Sequence, residues 1–161
     1  MVMTELDNKR QEEQQFIQAV GTLCEEINLP RMSGLILGHL LICDPPCQTA
    51  KELLEAIGGS KGSISSMTRL LMHAGLVERT SIIGKRGTYY RIKTGSLTDL
   101  LKMRMLFFKR MRELSEQGLN TIDDTSTIQY KRLKEIHDLY AFFENEWPAL
   151  LERWKRKHSK S

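Results

Sequence analysis

Between Thr49 and Ala74 the chain twice runs through a helix start signal, an apolar stripe and a glycine stop, and that spacing leaves little choice of local fold. Thr49 puts a hydroxyl three residues ahead of the Glu52 carboxylate, a pair that satisfies each other's free amides at a helix N-terminus. Ala50, Leu53, Leu54 and Ile57 follow at i, i+3, i+4 and i+7, which is one apolar face. Gly58 and Gly59 end that helix, because glycine enters the left-handed region at no steric cost. Ser60 caps a second helix through Ala74. Gly75 stops it, with Leu76 placed for the apolar contact of a C-terminal glycine motif. Two short helices joined by a glycine-containing turn predict a helix-turn-helix.

The second helix carries the chemistry. At about 100° per residue, Ile64, Met67, Thr68 and Leu71 share a core-facing side. The opposite side presents Gly62, Ser65, Ser66, Arg69 and His73, with Lys61 in the first turn. That surface holds short hydroxyls and fixed cations and no carboxylate, which would repel phosphate. Its N-terminal end adds free N–H groups and a partial positive charge suited to a phosphate oxygen. Small hydroxyls and an arginine are groups that reach base edges in a major groove.

A basic two-stranded hairpin is expected next. Val77 to Ile83 is rich in β-branched residues, and Thr88 to Ile92 is a second strand candidate. Between them Gly84-Lys85-Arg86-Gly87 makes a turn with two cations at its tip. From Arg79 to Lys93 there are five basic residues and no Asp or Glu, so a projecting wing of this kind suits phosphate or minor-groove contact.

At 161 residues the chain is long enough for a core without staples, and its net charge of +4 is mild. The distribution of charge says more. The first thirty residues carry Glu5, Asp7, Glu12, Glu13, Glu25 and Glu26 against Lys9 and Arg10. The wing and the tail (Arg153, Lys155, Arg156, Lys157, Lys160) are basic, which implies a localised polyanion contact. The N-terminus lacks the apolar core of a signal peptide, and Leu35 to Ile42 is too short to span a bilayer. Three cysteines argue against a disulfide framework and for a reducing, cytoplasmic setting.

The flanks read as helices. Thr4 to Asn28 forms an amphipathic helix with Phe16, Ile17, Val20, Leu23, Cys24 and Ile27 on one face. Leu29-Pro30 breaks it, with Pro30 at the first position of the next helix. Met32 to Cys43 is a buried helix in which Gly34 and Gly38 permit close packing, and Asp44-Pro45-Pro46 ends it. Leu97 to Gln117 is a long helix closed by Gly118. From Thr127 the last helix places Leu133, Ile136, Tyr140, Phe143, Trp147, Leu150 and Trp154 at alternating steps of three and four, with Pro148 inside the run. These helices carry more apolar face than one small core covers, and a second copy of the chain is the simplest outlet. Such a two-fold dimer sets two recognition helices roughly 34–36 Å apart, one DNA turn. The interface residues are then Phe16, Val20, Phe107, Leu133, Ile136, Tyr140, Phe143, Trp147 and Leu150.

Cys43 and Cys47 form a C-x3-C pair with no companion His or second Cys pair, whereas zinc takes four ligands, so a structural role is preferred to a metal or thiol-sensing one. His39 reads as a buried, hydrogen-bonded residue of a packing helix. Tyr140, Trp147 and Trp154 could form a cation–π cage for a quaternary amine, but dimer core is preferred. No catalytic constellation can be assembled, so the chain is read as no enzyme, with no metal and no cofactor.

Several motifs, in order and at consistent spacing, resemble the GbsR-type branch of the MarR-like winged-helix transcriptional regulators. They are Leu29 to Gly38, Asp44-Pro45-Pro46, Gly59 to Ser66, Gly75-Leu76-Val77 and Gly84-Lys85-Arg86, within a stretch from about Phe16 to Leu114. The resemblance implies a dimeric prokaryotic DNA-binding regulator, commonly a repressor. By that analogy Ser60, Lys61, Gly62, Ser63, Ser65, Ser66 and Arg69 sit on the recognition helix, and Lys85 and Arg86 at the wing tip. The expected fold is mainly α with a small β-hairpin: a winged helix-turn-helix at 30–95, between an N-terminal dimerisation helix at 1–29 and a C-terminal helical dimerisation region at 96–161. The expected partners are double-stranded DNA, a second copy of the chain and a small-molecule effector of unknown identity. A winged-helix module that binds protein and no DNA is the alternative.

Overall fold

The computed structural model describes residues 5–158, so Thr4, expected to open the first helix, and Lys160 of the basic tail lie outside the described residues. The elements in order are α1 (Glu5–Glu26), α2 (Arg31–Ile42), β1 (Gln48–Thr49), α3 (Ala50–Ile57), α4 (Lys61–His73), β2 (Val77–Thr80), β3 (Tyr89–Ile92), α5 (Ser96–Leu119) and α6 (Ile128–His158). Contacts divide the chain after Leu97, with α1 in the first unit. The fold is mainly helical with a small antiparallel sheet, as the sequence predicts.

In the first unit, α1 and α2 meet where their side chains are missing. A Cβ on Gly34 would lie 2.7 Å from both Gly21 Cα and Val20 O, and one on Gly38 would lie 3.2 Å from Ile17 Cα. This backbone approach buries Ile17 and Cys24 of α1 against Ser33 to Ile36 of α2. Arg31 stitches the same pair through Thr22 Oγ1 and Glu25, both at 3.0 Å, and Gln18. Asn28, not the Leu29-Pro30 pair alone, stops α1: it takes φ of 61°, and Leu29 N donates to Cys24 O at 2.8 Å. Pro30 stands just before α2 as its N-cap rather than as its first residue.

The sheet corrects two expectations. It has three strands, ordered β1-β3-β2, where a two-stranded hairpin was expected. Gln48 pairs with Tyr90 and Thr49 with Tyr89, so the short β1 extends the wing's return strand. The outgoing strand stops at Thr80 rather than Ile83, and the returning one starts at Tyr89 rather than Thr88. Residues 81–88 therefore form a loop, since no side chain from Ser81 to Thr88 is buried to anchor a longer ladder.

The second unit is a hairpin of α5 and α6. Phe108 is its aromatic centre, stacked on Phe143 at 5.1 Å and edge-on to Trp147 at 5.5 Å. Gly118 does not close α5. It lies inside the helix, where an added Cβ would come within 3.0 Å of Leu133 Cδ1, so it admits α6 instead. Helix α6 runs on through Pro148, and past that residue Leu151 is buried while Leu150 is exposed. Arg112 joins the two helices through Glu144 at 2.6 Å. No helix among the described residues is long and apolar enough to cross a membrane.

The α1–α2 contact gives a direct test. Gly34→Ala drives a methyl into backbone on two sides, so it should cost about 1–3 kcal/mol as overpacking does. A lowered urea midpoint with an unchanged m-value is the expected readout.

Candidate nucleic-acid interface

Both helices of the central pair start from complete capping boxes. Glu52 N donates to Thr49 Oγ1 at 3.2 Å, and Thr49 N donates back to the Glu52 carboxylate at 2.6 Å. The Thr49 amide, then its hydroxyl, hold the Glu52 carboxyl below the usual carboxylate range, with Lys85 and Lys51 adding to the effect. That stabilisation is complete above the ordinary glutamate pKa and is lost as pH falls through the depressed value. At α4, Ser63 N donates to Ser60 Oγ at 3.1 Å and Ser60 N donates to Ser63 Oγ at 3.0 Å. The helix ends in a full C-terminal glycine motif: Gly75 has φ of 72°, and Leu76 N donates to Leu71 O at 3.0 Å.

These ends fix which side of α4 faces outward. Ile64, Thr68 and Leu71 are buried, Met67 is half-buried, and Thr68 Oγ1 donates to Ile64 O. Lys61, Gly62, Ser65, Ser66, Arg69 and His73 are exposed, and α4 contains no acidic residue. Ser60 is exposed too, with its Oγ accepting from Ser63 N and its own proton left to donate. Ser63 differs from its neighbours: it is half-buried, and its hydroxyl proton goes to Ser60 O at 2.8 Å. Its first role is the cap, a role that a serine in place of the usual Glu or Gln at that position conceals.

In the wing, Lys85 and Arg86 are exposed on a turn closed by Lys85 N donating to Ile82 O at 3.1 Å. The wing's cations are not alike. Arg91 is held across the sheet by Glu78 at 2.7 Å, one residue outside the acid-free stretch. Among the described residues no ion pair is formed by Lys61, Arg69, Arg79, Lys85 or Arg86, so those five charges face solvent unneutralised by contact. Ile83, beside them, is a fully exposed apolar side chain.

The remaining residues singled out in the sequence divide. Of the nine expected at an interface between copies, Phe16, Phe107, Ile136 and Leu150 are exposed, whereas Val20, Leu133, Tyr140, Phe143 and Trp147 are half-buried within their own units. Tyr140 and Trp147 both lie against Phe108, while Trp154 stacks on His158, so the three aromatics do not converge on one cage. His39 is half-buried, and its Nε2 has no hydrogen-bond partner, against the expectation of a satisfied histidine. Burial lowers its pKa, and nearby Gln48 and Glu13 oppose that only in part. Cys43 and Cys47 are free and half-buried, and burial pushes the Cys43 thiol up, away from the reactive thiolate.

Comparison with known proteins agrees with this geometry. Residues 95–157 match the family model described as MmpR5-like MarR family transcriptional regulator. The HTH-type transcriptional regulator MmpR5 of Mycobacterium tuberculosis is 32% identical over 143 residues, spanning 89% of this chain and 87% of that protein. A crystal structure of a transcriptional regulator superposes with a TM-score of 0.73 at 32% identity, covering 90% of this chain and 99% of that one.

The caps and the open helix face make opposite stability predictions two residues apart. Ser60→Ala removes an N-cap acceptor and should cost about 1 kcal/mol. Gly62→Ala meets only Ser60 Oγ, at 3.8 Å, and should hold or raise stability, because alanine is the better helix former. Thermal melts of the two variants beside the parent check both signs.

Proposed function

We propose, from the premise that this chain belongs to the MarR family of transcriptional regulators, that it binds DNA as a homodimeric repressor through α4 and the wing. The chain is a DNA-binding regulator by descent; the residues, the symmetry and the sign of regulation are our reading. The observation that carries it is the division of α4 into a buried apolar side and an exposed, cationic side free of carboxylate. Set in a major groove, that side brings Ser65, Ser66 and Arg69 to base edges, with Ser60 and Lys61 at the flanking backbone. Lys85 and Arg86 then reach phosphate or the adjacent minor groove.

Homodimerisation is supported by the apolar surface on the terminal helices. Leu106 is 69% exposed, Phe142 59% and Phe107 46%, more than a single soluble protomer leaves open without a partner. Two-fold symmetry then matches two recognition helices to two half-sites. The affiliation with the GbsR-type branch rests on motifs between 29 and 86, outside the span of the MmpR5-like family model. Repression, a small-molecule effector and a cytoplasmic location are part of the same proposal.

Two sets of substitutions test it. Arg69→Ala should cost about 1–3 kcal/mol of binding at one base position and relax specificity there. The double change Lys85→Ala with Arg86→Ala should weaken all duplexes alike and flatten the salt dependence. Fluorescence anisotropy on duplexes selected from a random pool, titrated over salt, separates the two. Unchanged affinity in both variants refutes the assignment of this face.

A further inference from the structure

Beside the outward side of α4, helices α3 and α4 leave a notch of about 250 Å³. Its floor is Ala50, Leu54 and Ile64, and its rim carries Lys51 and Lys61. Both lysines are exposed. Lys61 has no ion-pair partner among the described residues. Lys51 meets Glu55 at 3.7 Å, with the two side chains 84% and 63% exposed. A pair that open is worth little, and lysine ahead of glutamate is the weaker order on a helix.

Lys61 makes no ion pair on its own helix, and Lys51 gives its helix only the open pair with Glu55 and a minor coulombic support to Glu52. Each stands in a first turn, where the helix dipole disfavours a cation. Capping falls to Thr49, Glu52, Ser60 and Ser63, a task that a lysine ammonium, which only donates, cannot perform. Residues that break a local rule without a local gain point to a use outside the fold. The notch also continues the proposed reading face, since Lys61 belongs to both.

We propose that this notch seats the sugar–phosphate backbone of DNA at the edge of the major groove, between the ammonium groups of Lys51 and Lys61. The apolar floor faces deoxyribose, and Lys51 exchanges a solvent-exposed carboxylate for a phosphate. This makes Lys51 a positioning residue that sets the register of α4 and reads no base. The inference rests on α4 being the recognition helix.

The test uses the full chain and its Lys51→Ala and Lys51→Arg variants. Each is titrated by anisotropy on a pool-selected duplex and on an unrelated one, between about 50 and 200 mM salt. Lys51→Ala should lose affinity by the same factor on both duplexes, and its salt slope should shrink by about 0.9 for one lost phosphate contact. Lys51→Arg should retain most of the binding. The melting temperature of Lys51→Ala should equal or exceed that of the parent, because a cation leaves the positive end of a helix. Parental affinity and slope in Lys51→Ala overturn the inference. So does a loss confined to one sequence, which means a base contact, or a fall in melting temperature, which means a role in α3. Should Lys51→Ala bind normally while Arg69→Ala and the wing double variant bind weakly, the notch alone is refuted. Should all of them bind normally, the reading face falls with it.

Discussion

Helix α2 is the member on which the first unit is hung. It touches α1, α3, α4 and β3. Ile36 is fully buried in it, with Ser33, Leu35 and Leu40 close behind. The approach of α1 depends on three glycines: Gly34 lies backbone to backbone against Gly21 and Val20, Gly38 lies against Val20 and the Ile17 backbone, and Gly21 makes room for the Leu35 side chain. At Gly34 no side chain lies between to absorb a misfit, so close packing holds the two helices in one fitted arrangement. The outward side of α4 is presented at a fixed angle because its inner side, Ile64, Thr68 and Leu71, has a rigid surface to lie on.

Charge is arranged by the same economy of contact. Glu78 quiets Arg91 in the sheet, and Arg31 is held by Glu25 between α1 and α2. Of the cations without such partners among the described residues, five lie on α4 and the wing, where α4 offers no carboxylate, and the others stand along α1, α5 and α6. Hydroxyls divide in a similar way. Ser63 turns back to its own helix end, while Ser65 and Ser66 face outward. A cationic helix face free of carboxylate thus exists without any large net charge on the chain, which is why composition understated the signal.

The helix-turn-helix was legible because its determinants are local. Caps, glycine stops and the spacing of Ile64, Thr68 and Leu71 by four residues and then three act within a turn or two of each other. What escaped detection depends on partners far along the chain. Strand β1 is two residues long and exists only by pairing with Tyr89 and Tyr90, so no periodicity announces it. Gly118 looks like a helix stop until Leu133 is seen against it. Beyond Pro148 the buried leucine is Leu151, a choice that packing makes and heptad spacing does not. Among the candidate site residues, the outward set on α4 followed from angle alone, whereas the commitment of Ser63 to the cap needed coordinates.

Thr49 ends β1 and caps α3, so one residue is bonded into both the sheet and the first helix of the pair. The wing's base and α3, on which α4 packs, are thereby joined, and under the proposed binding mode the spacing between wing and α4 acts as a fixed gauge. A protein with a fixed gauge cannot stretch to suit the duplex; the duplex must twist or narrow to suit it. Binding sites would then be sorted partly by how cheaply their intervening steps deform, at positions no side chain touches.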